Sequence, residues 1–297
     1  MRGEVIQAQS SSLQNKLDIC YPFVKWAGGK KQLLAKLFAL IPADFNRYFE
    51  PFLGGGALFF YLISHKNRPF TAYLSDINSE LINSYLAVKQ DVDTLIELLR
   101  QHEIEYKEHP SKYYYQLRKD LKRQNSTARA ARFIALNRTC YNGLYRVNSQ
   151  GLFNVPWGKH SDPQICNSKN LRSVSLAFQY TEASINLSSY NEILEKTKEG
   201  DFIYLDPPYN PTSSTAYFTK YTNIGFSSKD QEELAATFRI LDERKCKVLL
   251  SNSNTQLIKE LYSDFAENTI EIDAIRSINC NGSKRAGHKE LIIRNYF

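Results

Sequence analysis

Short apolar runs and longer segments of helical period alternate along the chain from residue 21 onward. Residues 48–52 read as a strand running into Gly54-Gly55-Gly56, and 57–64 as an apolar helix. A second strand, 71–75, ends at Asp76 and leads into a helix through Lys89. Helical spacing continues to about Asp120 and returns at 127–137, whereas 138–170 is punctuated by Gly, Asn and Pro and predicts loops with a hairpin. Strands return at 201–205 and 247–250, with a helix at 228–243 between them. Near the end, 269–275 and 290–296 are β-rich runs on either side of a polar turn, 279–287. The alternation predicts an α/β fold: a doubly wound, mostly parallel sheet with a mainly helical insert. The expected division is a leader at 1–20, a main domain at 21–90 and 176–297, and the insert at 91–175.

Composition narrows the classes without choosing among them. Hydrophobic residues at 42% and charged residues at 23% of 297 exclude wholesale disorder. No window approaches the ~18 continuous apolar residues of a membrane span. The first twenty residues hold no apolar block of the kind a secretory signal needs. Cys20, Cys140, Cys166, Cys246 and Cys280 are widely spaced and odd in number, which argues against a disulfide framework or a zinc knuckle. His65, His102, His109, His160 and His288 show no ligand spacing, so no metal is predicted. A reduced, cytoplasmic protein without a membrane partner is the expectation.

Charge changes the picture once it is located. The net +7 conceals a segment, 107–160, that holds eleven basic side chains against Glu108 and Asp120, a local +9 that leaves the remainder at −2. Tyr113, Tyr114, Tyr115, Asn137, Tyr141, Asn142, Tyr145 and Trp157 are interleaved with it. Cations among aromatic and amide groups suit a polyanion whose bases are also contacted. A solvated helical face is the plainer reading of a charge run, but such faces mix signs to gain i,i+4 pairs. Acids are nearly absent here.

Four clusters fall at strand ends or just before the first strand, where open α/β sheets bind ligands. Glu50-Pro51-Phe52-Leu53-Gly54-Gly55-Gly56 lets the backbone approach a ligand closely, yet it is not the dinucleotide pattern. Asp76 ends the next strand, where it can accept from ribose hydroxyls or cap the helix that follows; the glycine turn one unit earlier favours ribose. Lys25-Trp26-Ala27-Gly28-Gly29-Lys30 is not a Walker loop. Trp26 offers a ring and Lys30 a charge for a carboxylate, with a core Trp and a surface Lys as the alternative. Asp206-Pro207-Pro208-Tyr209 follows an apolar strand, and two prolines fix what flanks them. The Asp206 carboxylate, the Pro207 carbonyl and the Tyr209 ring together suit a planar aromatic amine.

With these motifs in this order, the chain resembles the DNA adenine methyltransferase (Dam) family, the α-group amino-methyltransferases that use S-adenosylmethionine. Tyr141-Asn142-Gly143-Leu144-Tyr145-Arg146 and Phe153-Asn154-Val155-Pro156-Trp157-Gly158 resemble its GATC-reading segment. The resemblance implies that Trp26, Lys30, Phe52, Gly54, Gly55, Gly56 and Asp76 hold S-adenosylmethionine, with Glu182 and Ala183 near its adenine and Asp206 beside it. It implies that Asp206, Pro207, Pro208 and Tyr209 hold the target adenine. Arg146 would donate to a guanine edge, Leu144 and Pro156 would touch thymine methyls, and Tyr141 and Asn142 would fill the space around the displaced base. Lys25, Arg138, Asn154 and Lys159 complete the implied DNA surface. The chain departs from the family at His160, where a Tyr is common, and at Cys280, in a loop of small polar residues.

The implied reaction is methyl transfer from S-adenosylmethionine to the 6-amino group of an adenine flipped out of duplex DNA. A monomer in solution is expected, and a companion restriction endonuclease is consistent with the family. Amino methylation of RNA or of a protein glutamine, and a DNA-binding relative that has lost catalysis, are the competing readings. The 141–156 block argues against the first and intact Asp206 and Tyr209 against the second.

Overall fold

The computed structural model describes residues 19–30, 33–66, 69–120, 125–209, 226–274 and 288–297. The leader through residue 18, Lys122 and Arg123 of the basic segment, and the 279–287 turn with Cys280 lie outside the described residues. Strands β1 (Arg47–Glu50), β2 (Thr71–Asp76), β3 (Ser184–Leu187), β4 (Phe202–Leu205), β5 (Lys247–Ser253), β6 (Thr269–Ala274) and β7 (His288–Arg294) form a seven-stranded, mostly parallel sheet. Its order is β3-β2-β1-β4-β5-β7-β6, so the direction of winding reverses between β1 and β4. Parallel pairing joins β1 to β4 and β4 to β5, whereas β7 runs antiparallel beside both β5 and β6. The expected α/β class and mostly parallel sheet are borne out.

The chain packs as two compact units. One comprises the described residues within 30–53, 72–75 and 188–297. Its core joins Phe49, Ile203, Leu205, Leu250 and Leu291 of the strands to Leu234, Phe238 and Leu241 of α8 (Ser228–Glu243). That helix starts where predicted because Ser227 and Asp230 form a reciprocal capping box. The other unit comprises the described residues within 1–29, 54–71 and 76–187. There α3 (Ser79–Gln90) and α4 (Val92–Glu108) pack against α6 (Ser126–Thr139). Pro110 opens α5 (Pro110–Lys119) at a first-turn position, where its missing N–H costs nothing. The predicted hairpin within 138–170 is present only as two antiparallel bridges, Cys140 with Trp157 and Val147 with Phe153.

Among the α-helices and strands, four elements escaped the sequence pattern: α1 (Leu34–Ala39), α7 (Ser168–Tyr180), α9 (Gln256–Leu261) and the short β3. Of these, α7 had a legible signal, an Asn167 N-cap followed by buried Leu171, Val174 and Phe178 at helical spacing. Among the described residues no helix is long and apolar enough to cross a membrane.

Candidate active site

All four residues of β4 are buried, and the chain leaves that strand at Asp206. The Asp206–Tyr209 turn is braced from behind. Gln231 Nε2 donates to the Pro208 carbonyl at 3.1 Å, and Asn252 Nδ2 donates to Gln231 Oε1 at 2.9 Å. Gln231 and Asn252 are both fully buried, so this chain of amides holds the turn in a dry setting.

In front of it lies one cation among three acceptors. Lys30 Nζ is 3.0 Å from Asp206 Oδ1 and 3.5 Å from Glu290 Oε2, and it donates to the Tyr209 hydroxyl. It also stands 4.1 Å from the centroid of the Tyr209 ring. The Tyr209 hydroxyl in turn donates to Glu290 Oε2 at 2.7 Å. Burial pushes the Asp206 carboxyl up to about 6; Lys30 opposes the rise and Glu290 adds to it. Burial and the neighbouring carboxylates hold the Tyr209 phenol well above its ordinary value. On neighbouring strands the Tyr48 hydroxyl donates to Glu50 at 2.8 Å and the Tyr204 hydroxyl pairs with Ser251 at 3.0 Å. Lys30 is only 6% exposed, so a surface lysine is excluded. Phe52, at the end of β1, stacks on Tyr190 with centroids 5.2 Å apart.

The second cluster belongs to the other unit and centres on the glycine turn. Gly54 has φ +48°, and a Cβ built on it would lie 2.8 Å from Trp26 Cδ1. Asp76 fastens this turn: its Oδ2 accepts the Gly54 N–H and its Oδ1 the Asn78 N–H, both at 2.9 Å. Asn78, not Asp76, caps α3, accepting the Leu81 N–H at 3.0 Å. The Ile77 N–H bears on the same carboxylate, so three backbone donors hold it and part of its acceptor capacity is left for a further donor. Burial raises this carboxyl's pKa against the pull of those backbone N–H groups. Gly56, at φ +65°, enters α2 (Ala57–His65), with Gly55 packed near the Trp26 Cβ. Trp26 stacks on Tyr145, centroids 5.7 Å apart and planes 25° from parallel. Glu182 is exposed in a left-handed conformation, and the buried Ala183 gives its carbonyl to Lys89 Nζ at 2.7 Å.

The basic segment divides between surface and scaffold. Tyr141, Asn142, Pro156 and Lys159 are exposed, as is Lys25. Asn142 takes a left-handed φ of 54°, which an Asn tolerates. Arg146 Nε donates to Asn154 Oδ1 at 2.6 Å and its Nη2 to the Asn154 carbonyl at 3.2 Å. Leu144 is buried. Several groups read from sequence as base-contacting do structural work instead. Tyr114 donates to the Val155 carbonyl at 2.7 Å, and Trp157 Nε1 donates to the Tyr106 hydroxyl at 2.9 Å. Asn137 is buried, accepting the Lys25 N–H at 2.7 Å and donating to the carbonyls of Lys25 and Gly143. Arg132 and Arg138 likewise spend donors on backbone carbonyls, Arg138 on Phe23 at 3.1 Å. A cavity of about 420 Å³ is lined by Lys25, Arg138, Lys159, His160 and Asp162 among others.

The family model for D12 class N6 adenine-specific DNA methyltransferases matches residues 26–278. The chain belongs to this class. The methyltransferase is 41% identical over 288 residues to the type II methyltransferase M1.LlaDCHI of Lactococcus lactis subsp. cremoris, covering 95% of this chain and 98% of that one. It is also 41% identical over 290 residues to the type II methyltransferase M.MjaIII of Methanocaldococcus jannaschii, covering 93% and 99%. The DNA adenine methylase of Escherichia coli strain K12 is 35% identical over 275 residues, covering 91% and 93%. The enzyme is thus an adenine-specific DNA N6-methyltransferase, as its motifs imply.

Sequence reasoning passed over Glu290, Gln231 and Asn252. Two of them carried a signal. Gln231 is a polar residue on the buried stripe of α8, three and seven positions before Leu234 and Phe238. Glu290 is an acid at the head of the buried run Leu291, Ile292 and Ile293.

Proposed function

We propose that this methyltransferase moves a methyl group from S-adenosylmethionine to the 6-amino group of an adenine flipped out of duplex DNA, within GATC. The carrying observation is a desolvated Asp206 carboxyl on the same turn as the Tyr209 ring, which Gln231 braces. An adenine amine is a poor nucleophile because its lone pair is delocalised into the ring. Asp206 and the Pro207 carbonyl would accept its two N–H bonds and direct the lone pair outward, with Tyr209 stacking on the base. Orientation and electrostatics then carry the rate, because no covalent intermediate is required.

Trp26, the Gly54–Gly56 turn and Asp76 would hold the cofactor, with Glu182 and Ala183 near its adenine. The fit rests on two features: a turn with no room for a Cβ against Trp26, and an Asp76 carboxylate fixed at that turn by backbone N–H groups with acceptor capacity left for a ribose hydroxyl. S-adenosylmethionine supplies an electrophilic methyl on a sulfonium. Exposed Tyr141 and Asn142 would occupy the vacated stack, offsetting part of an unstacking cost of a few kcal/mol. Arg146 and Asn154 would read a guanine edge, Leu144 and Pro156 the thymine methyls, and Lys25, Arg138 and Lys159 the backbone. The enzyme would act as a cytoplasmic monomer.

Tritiated-methyl transfer to duplexes with and without GATC tests this directly. Transfer confined to GATC duplexes, lost in Asp206→Ala with DNA binding retained, is expected. Equal transfer to duplexes lacking GATC would remove the specificity, and transfer to RNA or protein alone would remove the substrate.

A further inference from the structure

Glu290 lies outside every motif, yet its carboxylate completes the ring of contacts around Lys30. It stands on β7 opposite Ser253 of β5, and its Oε2 both accepts the Tyr209 hydroxyl at 2.7 Å and lies 3.5 Å from Lys30 Nζ. Asp206 is 3.0 Å from the same ammonium, which also stands 4.1 Å from the Tyr209 ring centroid. Two demands therefore meet on the same groups. Asp206 neutralises Lys30, and the amine of a bound adenine needs that carboxylate's lone pairs. Tyr209 presents its ring to Lys30, and the base needs a ring to stack on. An ammonium this buried cannot be left without a carboxylate, since an unpaired buried charge is far costlier than an exchanged partner.

We propose that Glu290 is a positioning residue for methyl transfer: it anchors the Tyr209 hydroxyl and is the carboxylate that Lys30 keeps when Asp206 and the Tyr209 ring turn to the adenine. The proposal rests on the reading of Asp206 and Tyr209 as the adenine-holding pair. Only a hydrogen-bond exchange is involved. Lys30 releases Asp206, remains charged, and stays paired to Glu290, while the adenine N–H takes the vacated oxygen. Without the second carboxylate, Lys30 would hold Asp206 and base entry would have to displace it against the full desolvation penalty.

The test uses the full chain and a duplex with 2-aminopurine at the target adenine, whose emission rises when the base leaves the stack. Glu290→Gln keeps an oxygen for the Tyr209 hydroxyl and loses the charge. It is expected to lower the emission of the complex by about threefold or more, the scale of a direct coupling between contacting residues. On ordinary duplex, kcat should fall while KM for DNA holds. In a Lys30→Ala background the same change should have no effect, because no ammonium then competes for Asp206. Glu290→Asp, which keeps the charge, should restore emission to within about twofold of wild type, well short of the loss expected for a broken contact. Wild-type emission from Glu290→Gln, an equal loss in both backgrounds, or a loss in Glu290→Asp as deep as in Glu290→Gln would each overturn the proposal. A wild-type complex dark on every duplex would instead remove the adenine-pocket reading, and this proposal with it. Circular dichroism melts separate a folding failure from these outcomes.

Discussion

Arg146 and Asn154 hold each other: the guanidinium donates to both oxygens of Asn154, and the Asn154 N–H donates back to the Arg146 carbonyl at 3.0 Å. The pairing fixes a flexible side chain before DNA arrives, reducing the entropy lost on binding. Arg146→Ala should cost ~1–3 kcal/mol of discrimination at one guanine. Asn154→Ala should weaken discrimination at the same base pair by a smaller amount. Ratios of kcat/KM on GATC and on duplexes changed at each base pair measure both. Losses spread evenly over all positions would count against base reading.

Methyl transfer should fall as pH drops through about 6, because the ionised Asp206 is a much stronger acceptor for the amine than the neutral acid, and burial holds its carboxyl there. Lys30 pulls that value down, so Lys30→Gln should move the acid limb to higher pH. A pH profile of kcat/KM, which reports the free enzyme, reads this for both proteins, and an unmoved limb in Lys30→Gln would contradict it. For stability the sign follows burial, which outweighs the pairing with Lys30. The raised carboxyl favours the native state fully below its unfolded pKa of about 4, and that contribution is lost as pH rises through about 6.

Gly54→Ala should destabilise the protein by ~1–2 kcal/mol, because a Cβ meets Trp26 at 2.8 Å and φ is +48°. Binding of S-adenosylhomocysteine, measured by calorimetry, should weaken with it. Unchanged binding and an unchanged urea midpoint would show that the turn yields without consequence.

The Val155 carbonyl accepts from both the Tyr114 hydroxyl at 2.7 Å and Arg118 Nη1 at 3.0 Å. Tyr114→Phe alone should therefore cost only ~1 kcal/mol. Combined with Arg118→Ala, it orphans a carbonyl of a buried residue, and the loss should exceed the sum of the single losses. Urea melts of the four proteins give that difference, and strict additivity would mean that water replaces both donors.

By itself the sequence determined the α/β class, the ends of most elements and the four motifs, because period, capping residues and prolines act within a few positions of one another. Gly54, Asp76 and Asp206 were legible on that basis. Only the tertiary structure decided which partners the long side chains take. Lys30 was read as a charge for a ligand, and it lies between Asp206 and Glu290, the latter 260 positions away in the chain. Several of the basic segment's groups serve its scaffold, with Asn137, Tyr114, Arg132 and Arg138 each satisfying backbone carbonyls. A polar side chain reads the same in sequence whether it awaits a ligand or pairs with a distant carbonyl. Burial, set by packing across the whole fold, makes that choice.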